Sequence, residues 1–271
     1  MIKRILDIFY KTRTYYGDDF DWSNYTKRSY YRRLINNVQD QYHTTPQPGE
    51  VIFDDEQKKV INRGFPLHPN QLLLLEAIGI LSPESVHEAG CGAGDHLASI
   101  SIVYPHVQCA GGDRARSQLD LALSRHPNLS GSLGLQDITM PYSRRWPRSE
   151  LVYTQAVVMH IHTAVSHFMA LSNLARMTKN YLLLIENFQS HNFVSDINNL
   201  FDNGHFANWD ELHMHRLDAS SGSKALIVSK IPLDLPKIHN DRQLREHSCR
   251  SVRRLKKANI DSDNGTFGYP Y

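Results

Sequence analysis

Two rhythms of apolar positions alternate along the middle of this chain. Between residues 70 and 80, Leu73, Leu74, Ala77 and Ile78 recur at three- and four-residue spacing, which predicts a helix. Short apolar runs at 85–88, 107–111, 132–136, 151–154 and 181–185 predict strands. Helical stretches are expected between them, ending near Ile102, Ser124 and Met177. Two further strands, 213–217 and 224–228, flank Ser220-Ser221-Gly222-Ser223, a hairpin-turn composition. Five β-α units followed by a β-hairpin predict an α/β fold: an open, mostly parallel seven-stranded sheet with helices on both faces.

The ends depart from this rhythm. Tyr10, Tyr15, Tyr16, Phe20, Trp22, Tyr25, Tyr30 and Tyr31 interleave with Lys11, Arg13, Lys27, Arg28, Arg32 and Arg33, ahead of a turn-rich stretch from Thr44 to Gly49. We therefore divide the chain into an N-terminal helical, aromatic cap or lid at 1–65, a ligand-binding domain at 66–233 and a basic tail at 234–271. Tyrosines in the first segment suit a lid over a substrate, or equally a cap packed on the sheet. The tail, with Lys237, Arg242, Arg245, Arg250, Arg253, Arg254, Lys256 and Lys257, is expected to be surface helix or partly disordered. On that reading, truncation after Leu233 leaves ligand binding intact. Basic runs of this kind attract phosphate or acidic glycans, or simply form a solvated face.

Composition narrows the class. The 271 residues are 41% hydrophobic, enough for one sizeable domain and an appendage, and a net charge of +2 excludes a chain-wide polycation. No apolar run reaches the eighteen or so residues of a membrane span, and the charged start of the sequence does not read as a signal peptide. Cys91, Cys109 and Cys249 lie far apart with no CxxC pair, which fits a cytoplasmic location and no structural zinc. Oligomeric state is not legible.

The chemistry concentrates at Glu88-Ala89-Gly90-Cys91-Gly92-Ala93-Gly94. A Gly-x-Gly turn after a strand lets the backbone approach a ligand and aims a helix N-terminus at it. In a dinucleotide fingerprint counted from Gly90 the third glycine would fall at position 95; here that position is Asp95, and a carboxylate there would repel a pyrophosphate. A glycine-rich turn with no ligand is the plainer alternative. Two more acids follow: Asp113, with Arg114 next to it, and Asp137, followed by Ile138. Three acids at the ends of consecutive strands are more specific than any one of them. This pattern, E-x-G-x-G-x-G with the two later acids, resembles the class I methyltransferases that use S-adenosylmethionine, over roughly residues 70 to 230. The resemblance implies that Glu88, Gly90, Cys91, Gly92 and Gly94 hold the donor's methionine portion. It implies that Asp113 and Arg114 lie at the ribose, that Asp137 reaches the adenine amino group, and that Ile138 packs on the ring. Thr154 and Gln155 would complete the donor site, and S-adenosylhomocysteine would be the product.

The segment after the fourth strand, from Thr154 to His162, faces the transferred methyl group in that family. Its Val158-Met159-His160-Ile161 run resembles a variant seen in small-molecule and sugar methyltransferases, in some of which the matching histidine is a general base. His160 has the intrinsic pKa for that work, and capping or packing the next helix is its alternative. The spacing of His160, His162 and His167 does not place all three on one helix face, so no metal is expected. His213 and His215 alternate on a strand and are expected on its surface. Residues 154–157 carry no Asn/Asp-Pro-Pro-Tyr/Phe motif, no Pro-Cys nucleophile and no Asp near position 155. Their absence argues against adenine-N6, cytosine-C5 and ribose-2′-O chemistry. O-methylation of a sugar, glycan or other small molecule is the leading expectation. An RNA- or protein-directed enzyme docking through basic ends, or a non-catalytic interaction module, are the alternatives.

Overall fold

The computed structural model describes residues 45–162, 166–219 and 222–245. The aromatic opening through residue 44, Ser220 and Ser221 of the expected turn, and the tail from residue 246 lie outside the described residues. The chain forms a hairpin, β1 (Val51–Asp54) and β2 (Lys59–Asn62), and then helix α1 (Pro69–Leu81). The β-α alternation follows as β3 (Ser85–Ala89), α2 (Asp95–Val103), β4 (Gln108–Asp113), α3 (Arg116–Arg125) and β5 (Leu133–Leu135). It continues as β6 (Ser149–Gln155), α4 (Ser166–Met177), β7 (Thr178–Ile185), α5 (Phe193–Asp202), β8 (His213–Asp218) and β9 (Lys224–Ser229).

The large sheet has the order β5-β4-β3-β6-β7-β9-β8. Strands β3 to β7 run parallel, while β9 is antiparallel to both β7 and β8. Consecutive strands therefore step outward from β3 to β5, and the chain then returns to place β6 on the other side of β3. Such a reversal opens a crevice at the carboxyl ends of the flanking strands.

The apolar runs that announce the central strands exist because both faces of the sheet are covered. Leu151, Tyr153, Leu183, Ile185, Ala225 and Ile227 join one buried cluster with Leu73, Leu74 and Ile78 of α1 and Leu97 and Ile100 of α2. Their neighbours Val152, Leu182, Leu184, Leu226 and Val228 join a second cluster with Leu171 and Leu174 of α4 and Val194, Ile197 and Leu200 of α5. Helix α1 begins at Pro69, with the His68 ring accepting the N–H of Asn70, and ends at Ser82 in the left-handed region.

Three features were not expected from the sequence. The β1–β2 hairpin sits in the stretch assigned to a helical cap, and Phe53 lies so close to Gly79 of α1 that any side chain there would overlap its ring. Helix α5 buries Phe193, Val194, Ile197 and Leu200, a helical spacing that the sequence reading passed over. The start of the tail is not a free surface segment. Pro236 and Ile238 bond the edge of β8 through Arg216 and Met214, and Ile238 and Leu244 are buried. This cover also buries His215, expected on the surface, whose Nδ1 bonds the Leu235 carbonyl at 3.1 Å.

Helix α5 has no cap from its own Asn192; the tail supplies one. Asp241 accepts the N–H groups of Val194 (2.8 Å) and Ser195 (3.1 Å) and the Ser195 hydroxyl (2.6 Å). Arg245 ties the loop before α5 by donating to the carbonyls of Phe188 and His191. Asp241→Ala should therefore destabilise the fold by about 1–2 kcal/mol, the usual worth of such a cap, visible as a lower Tm in thermal unfolding. An unchanged Tm would show that the tail contributes nothing to α5.

Candidate functional site

β3 delivers Glu88 and Ala89, both buried, to the glycine turn. Gly90, Gly92 and Gly94 all have positive φ, at 80°, 52° and 77°. The N–H groups of Gly90 and Cys91 converge on the Gly112 carbonyl of β4, at 2.7 and 3.0 Å. The Gly92 N–H donates to Oδ2 of Asp113 at 3.0 Å, and Oδ1 of the same carboxylate accepts the Ala115 N–H at 2.8 Å. The turn is thus strapped beneath the end of β4 with the Asp113 carboxylate against it. A Cβ at Gly90 would approach Val157 Cγ2 to 2.4 Å, so the segment after β6 closes directly on the turn. At Gly92 the nearest atom to such a Cβ is Gln118 Oε1 at 4.0 Å, which leaves space above the turn.

The charges here are buried and largely answered. Glu88 Oε1 bonds His96 Nδ1 of α2 at 2.7 Å. Burial opposes a charge on that ring, but the Glu88 carboxylate, Asp95 and a hydrogen bond that the ring donates to Gln155 raise its pKa. Asp113 is pushed up by burial, against the pull of the Ala115 and Gly92 N–H groups and Arg114. Burial, then Glu88 and Asp113, hold the Cys91 thiol well above its ordinary value, so it is no thiolate nucleophile. Asp95, the acid that separates this turn from a dinucleotide fingerprint, accepts from Arg125 (2.9 Å) and His126 (2.6 Å) and anchors the start of α2. Among the described residues Gln118 Oε1, the atom nearest the space at Gly92, is buried without a hydrogen-bond partner, an arrangement that a ligand donor would satisfy.

β5 ends at Leu135, so Asp137 lies two residues beyond the strand end where the sequence reading put it. Its Oδ1 accepts the Thr139 N–H (3.0 Å) and hydroxyl (2.6 Å). Ile138 is 6% exposed and belongs to the second core cluster, alongside Ala89, Val152 and Val158. Gln136, unremarked in the sequence, is buried against Gly112 and bonds His87 at 2.9 Å.

The exit from β6 is governed by Glu186, the residue after β7. Its buried carboxylate accepts the Thr154 hydroxyl (2.7 Å) and the N–H groups of Val157 (3.1 Å), Val158 (3.3 Å) and Met159 (3.0 Å). These donors close the loop into a short 3-10 turn, Val158–His160, with Ala156 held in the left-handed region at φ 52°. Burial raises the Glu186 pKa, and its donors pull it back. A carboxylate so occupied is a clamp on this loop and has no lone pair directed at the crevice to spare for proton transfer.

His160 ends that turn, mostly buried. Burial first, and the neighbouring His162 second, push its pKa down to about 4. The ordinary histidine value expected from sequence therefore does not hold. Across the crevice edge His191 bonds the Val158 carbonyl (3.1 Å) and stacks on His167 with ring centroids 4.3 Å apart, with His162 at 5.4 Å. Among the described residues, no group of three or more His, Cys, Asp or Glu is arranged to hold a metal.

The depressed histidines fix a pH dependence. Burial also lowers His68 to about 4, with His96 adding to the effect. Between pH 6.5 and 4 the unfolded chain binds protons at these positions and the folded chain does not. The contribution of these two rings to stability should therefore fall as pH drops through that window and level off below it. His160→Gln should flatten the slope by about one proton in urea unfolding across this range; an unchanged slope would mean that the ring titrates normally.

No protein-family model matches the chain, and no curated protein matches its sequence. Similar structures exist. The magnesium protoporphyrin IX methyltransferase of Synechocystis PCC 6803, with S-adenosylmethionine bound, is 16% identical, with a TM-score of 0.44 over 77% of this chain and 93% of its own. A TehB-like S-adenosylmethionine-dependent methyltransferase of Corynebacterium glutamicum is 14% identical, with a TM-score of 0.46 over 65% of this chain and 90% of its own. An amino pentose methyltransferase of Micromonospora echinaspora is 21% identical, with a TM-score of 0.39 over 46% of this chain and 52% of its own. By its own strand order the chain has the open, mostly parallel seven-stranded α/β sheet that its sequence predicts, with the parallel strands reversing at β3 and a closing antiparallel hairpin.

Proposed function

We propose that this protein is an S-adenosylmethionine-dependent methyltransferase acting on a hydroxyl of a sugar, glycan or other small molecule. The observation that carries the reading is the strapped glycine turn: its backbone, the Asp113 carboxylate and the unsatisfied Gln118 Oε1 border the open space at Gly92. The buried Glu88 carboxylate suits the ammonium of the donor's methionine portion, where a pyrophosphate would be repelled. Asp113, with each oxygen already oriented by one backbone N–H, keeps lone pairs for two ribose hydroxyls. Thr154, turned toward Glu186, shapes the site without touching the donor, whereas Gln155 stands beside His96 at the turn. Asp137 and Ile138 remain the candidates for the adenine end.

The donor supplies an activated methyl group, so this chain's main task is alignment. The Glu186 clamp fixes the loop that carries Val157 against Gly90 and His160 beyond it. His160 would accept the proton of the acceptor hydroxyl. Its low pKa keeps the ring neutral and ready at pH 7, though a weaker base than an ordinary histidine.

Asp113→Ala should weaken S-adenosylhomocysteine binding about tenfold in calorimetry, and wild-type affinity in the variant would remove Asp113 from the site. Once an acceptor is found by mass spectrometry with isotopically labelled donor, His160→Ala should lower turnover by about 10²-fold, the lower end for a positioned base, with donor affinity unchanged. The wild-type rate should be flat from about pH 6 to 8, because the ring titrates near 4. Turnover that survives the substitution would make His160 structural.

A further inference from the structure

The edge of the sheet opposite the crevice carries a basic surface that methyl transfer does not use. At the amino end of β6, Arg144, Arg145 and Arg148 are exposed around the half-buried Trp146. Trp146 meets Tyr142 edge-on at 5.6 Å, and the Arg176 guanidinium at the end of α4 lies over the Tyr142 ring at 5.8 Å. Arg148 reaches the Thr178 carbonyl at the start of β7, next to exposed Lys179. Lys230, just past β9, lies over Trp209 at 5.3 Å; burial, and then repulsion from Arg148, lower its pKa. Trp146, Tyr142 and Arg176 are in contact, Arg148 ties to Thr178 two residues beyond Arg176, and the charge of Arg148 is felt at Lys230, which brings four separate segments to this end of the sheet.

Among the described residues none of these six cations is in an ion pair, and Arg176 Nε is buried without a partner. The nearby acids are few or engaged: Glu211 pairs with His213, Glu150 accepts the Glu84 N–H, and Asp210 alone acts on Lys230. Six like charges gathered with none of them in an ion pair among the described residues repel one another and favour an anionic partner. Four are arginines, whose planar forks match phosphate oxygens, and aromatic rings lie between them. Exposed large apolar residues near it are few among the described residues, Ile231 beside Lys230 and Met140 before Tyr142, which gives a bilayer little to take up.

We propose that this face is a docking surface for single-stranded nucleic acid, with arginines on the phosphates and Trp146 beside the bases. It stands about 20 Å from the crevice, the length of β6, so a strand bound here is held away from the methyl-transfer site. The inference does not depend on the methyltransferase reading.

The test is fluorescence anisotropy of the full chain with a labelled oligouridylate over a salt series. Arg144→Glu, Arg145→Glu and Arg148→Glu combined should weaken binding at least tenfold near 0.1 M salt and reduce the log–log salt slope by about 2, as expected for three lost phosphate contacts on a single strand. The single variant Arg145→Glu, at an exposed position, should weaken binding about threefold and covers the case in which the triple variant fails to fold. S-adenosylhomocysteine affinity should be unchanged in both. Wild-type RNA affinity and slope in the folded triple variant would overturn the proposal. So would binding to phosphatidylserine vesicles or to polyglutamate with no binding to RNA.

Discussion

A carboxylate buried at the end of a parallel strand has to be met by hydrogen-bond donors, and that requirement organises this protein's crevice. Asp113 at the end of β4 is answered by the backbone of the glycine turn and of Ala115. Glu88 on β3 is answered by His96 on the helix that the turn launches. Glu186 after β7 is answered by the N–H groups of the loop leaving β6. In each case the carboxylate of one strand fixes the loop or helix at its own end or that of its neighbour. The loops are set by the sheet because an unanswered charge in these positions would cost several kcal/mol.

The same logic links crevice and periphery. Val157, held by Glu186, leaves no room for any residue but glycine at position 90, so the clamp on one loop constrains the other. Asp241 and Arg245, from a segment distant in sequence, fix α5 and the loop that carries His191, which in turn holds the Val158 carbonyl. Truncation after Leu233 would remove that support, so it is not the neutral cut that charge and composition suggest.

The strands were legible where both faces are buried. Continuous runs such as Leu182 to Ile185 mark them, and each of the seven falls within a few residues of its expected position. The glycine turn was legible because left-handed backbone and close approach restrict it to glycine. Short elements with polar turns were not: the four-residue strands of the β1–β2 hairpin carry too few apolar positions to show a period. Helix α5 hid because its cap comes from Asp241, far along the chain. The clamp role of Glu186 hid for the same reason, since it depends on donors about 30 residues earlier that only the sheet brings to it. The pKa of His160 depends on burial, which no local pattern reveals.

The central claim is that the glycine turn and the acids around it hold a methyl donor and not a dinucleotide. Isothermal titration of the wild-type chain with S-adenosylhomocysteine and, separately, with NAD tests it most directly. Saturable one-to-one binding of S-adenosylhomocysteine at micromolar affinity, with NAD at least a hundredfold weaker, is the predicted result, a difference of roughly 3 kcal/mol. NAD binding as tight or tighter, or no heat with S-adenosylhomocysteine from the folded protein, would contradict the account.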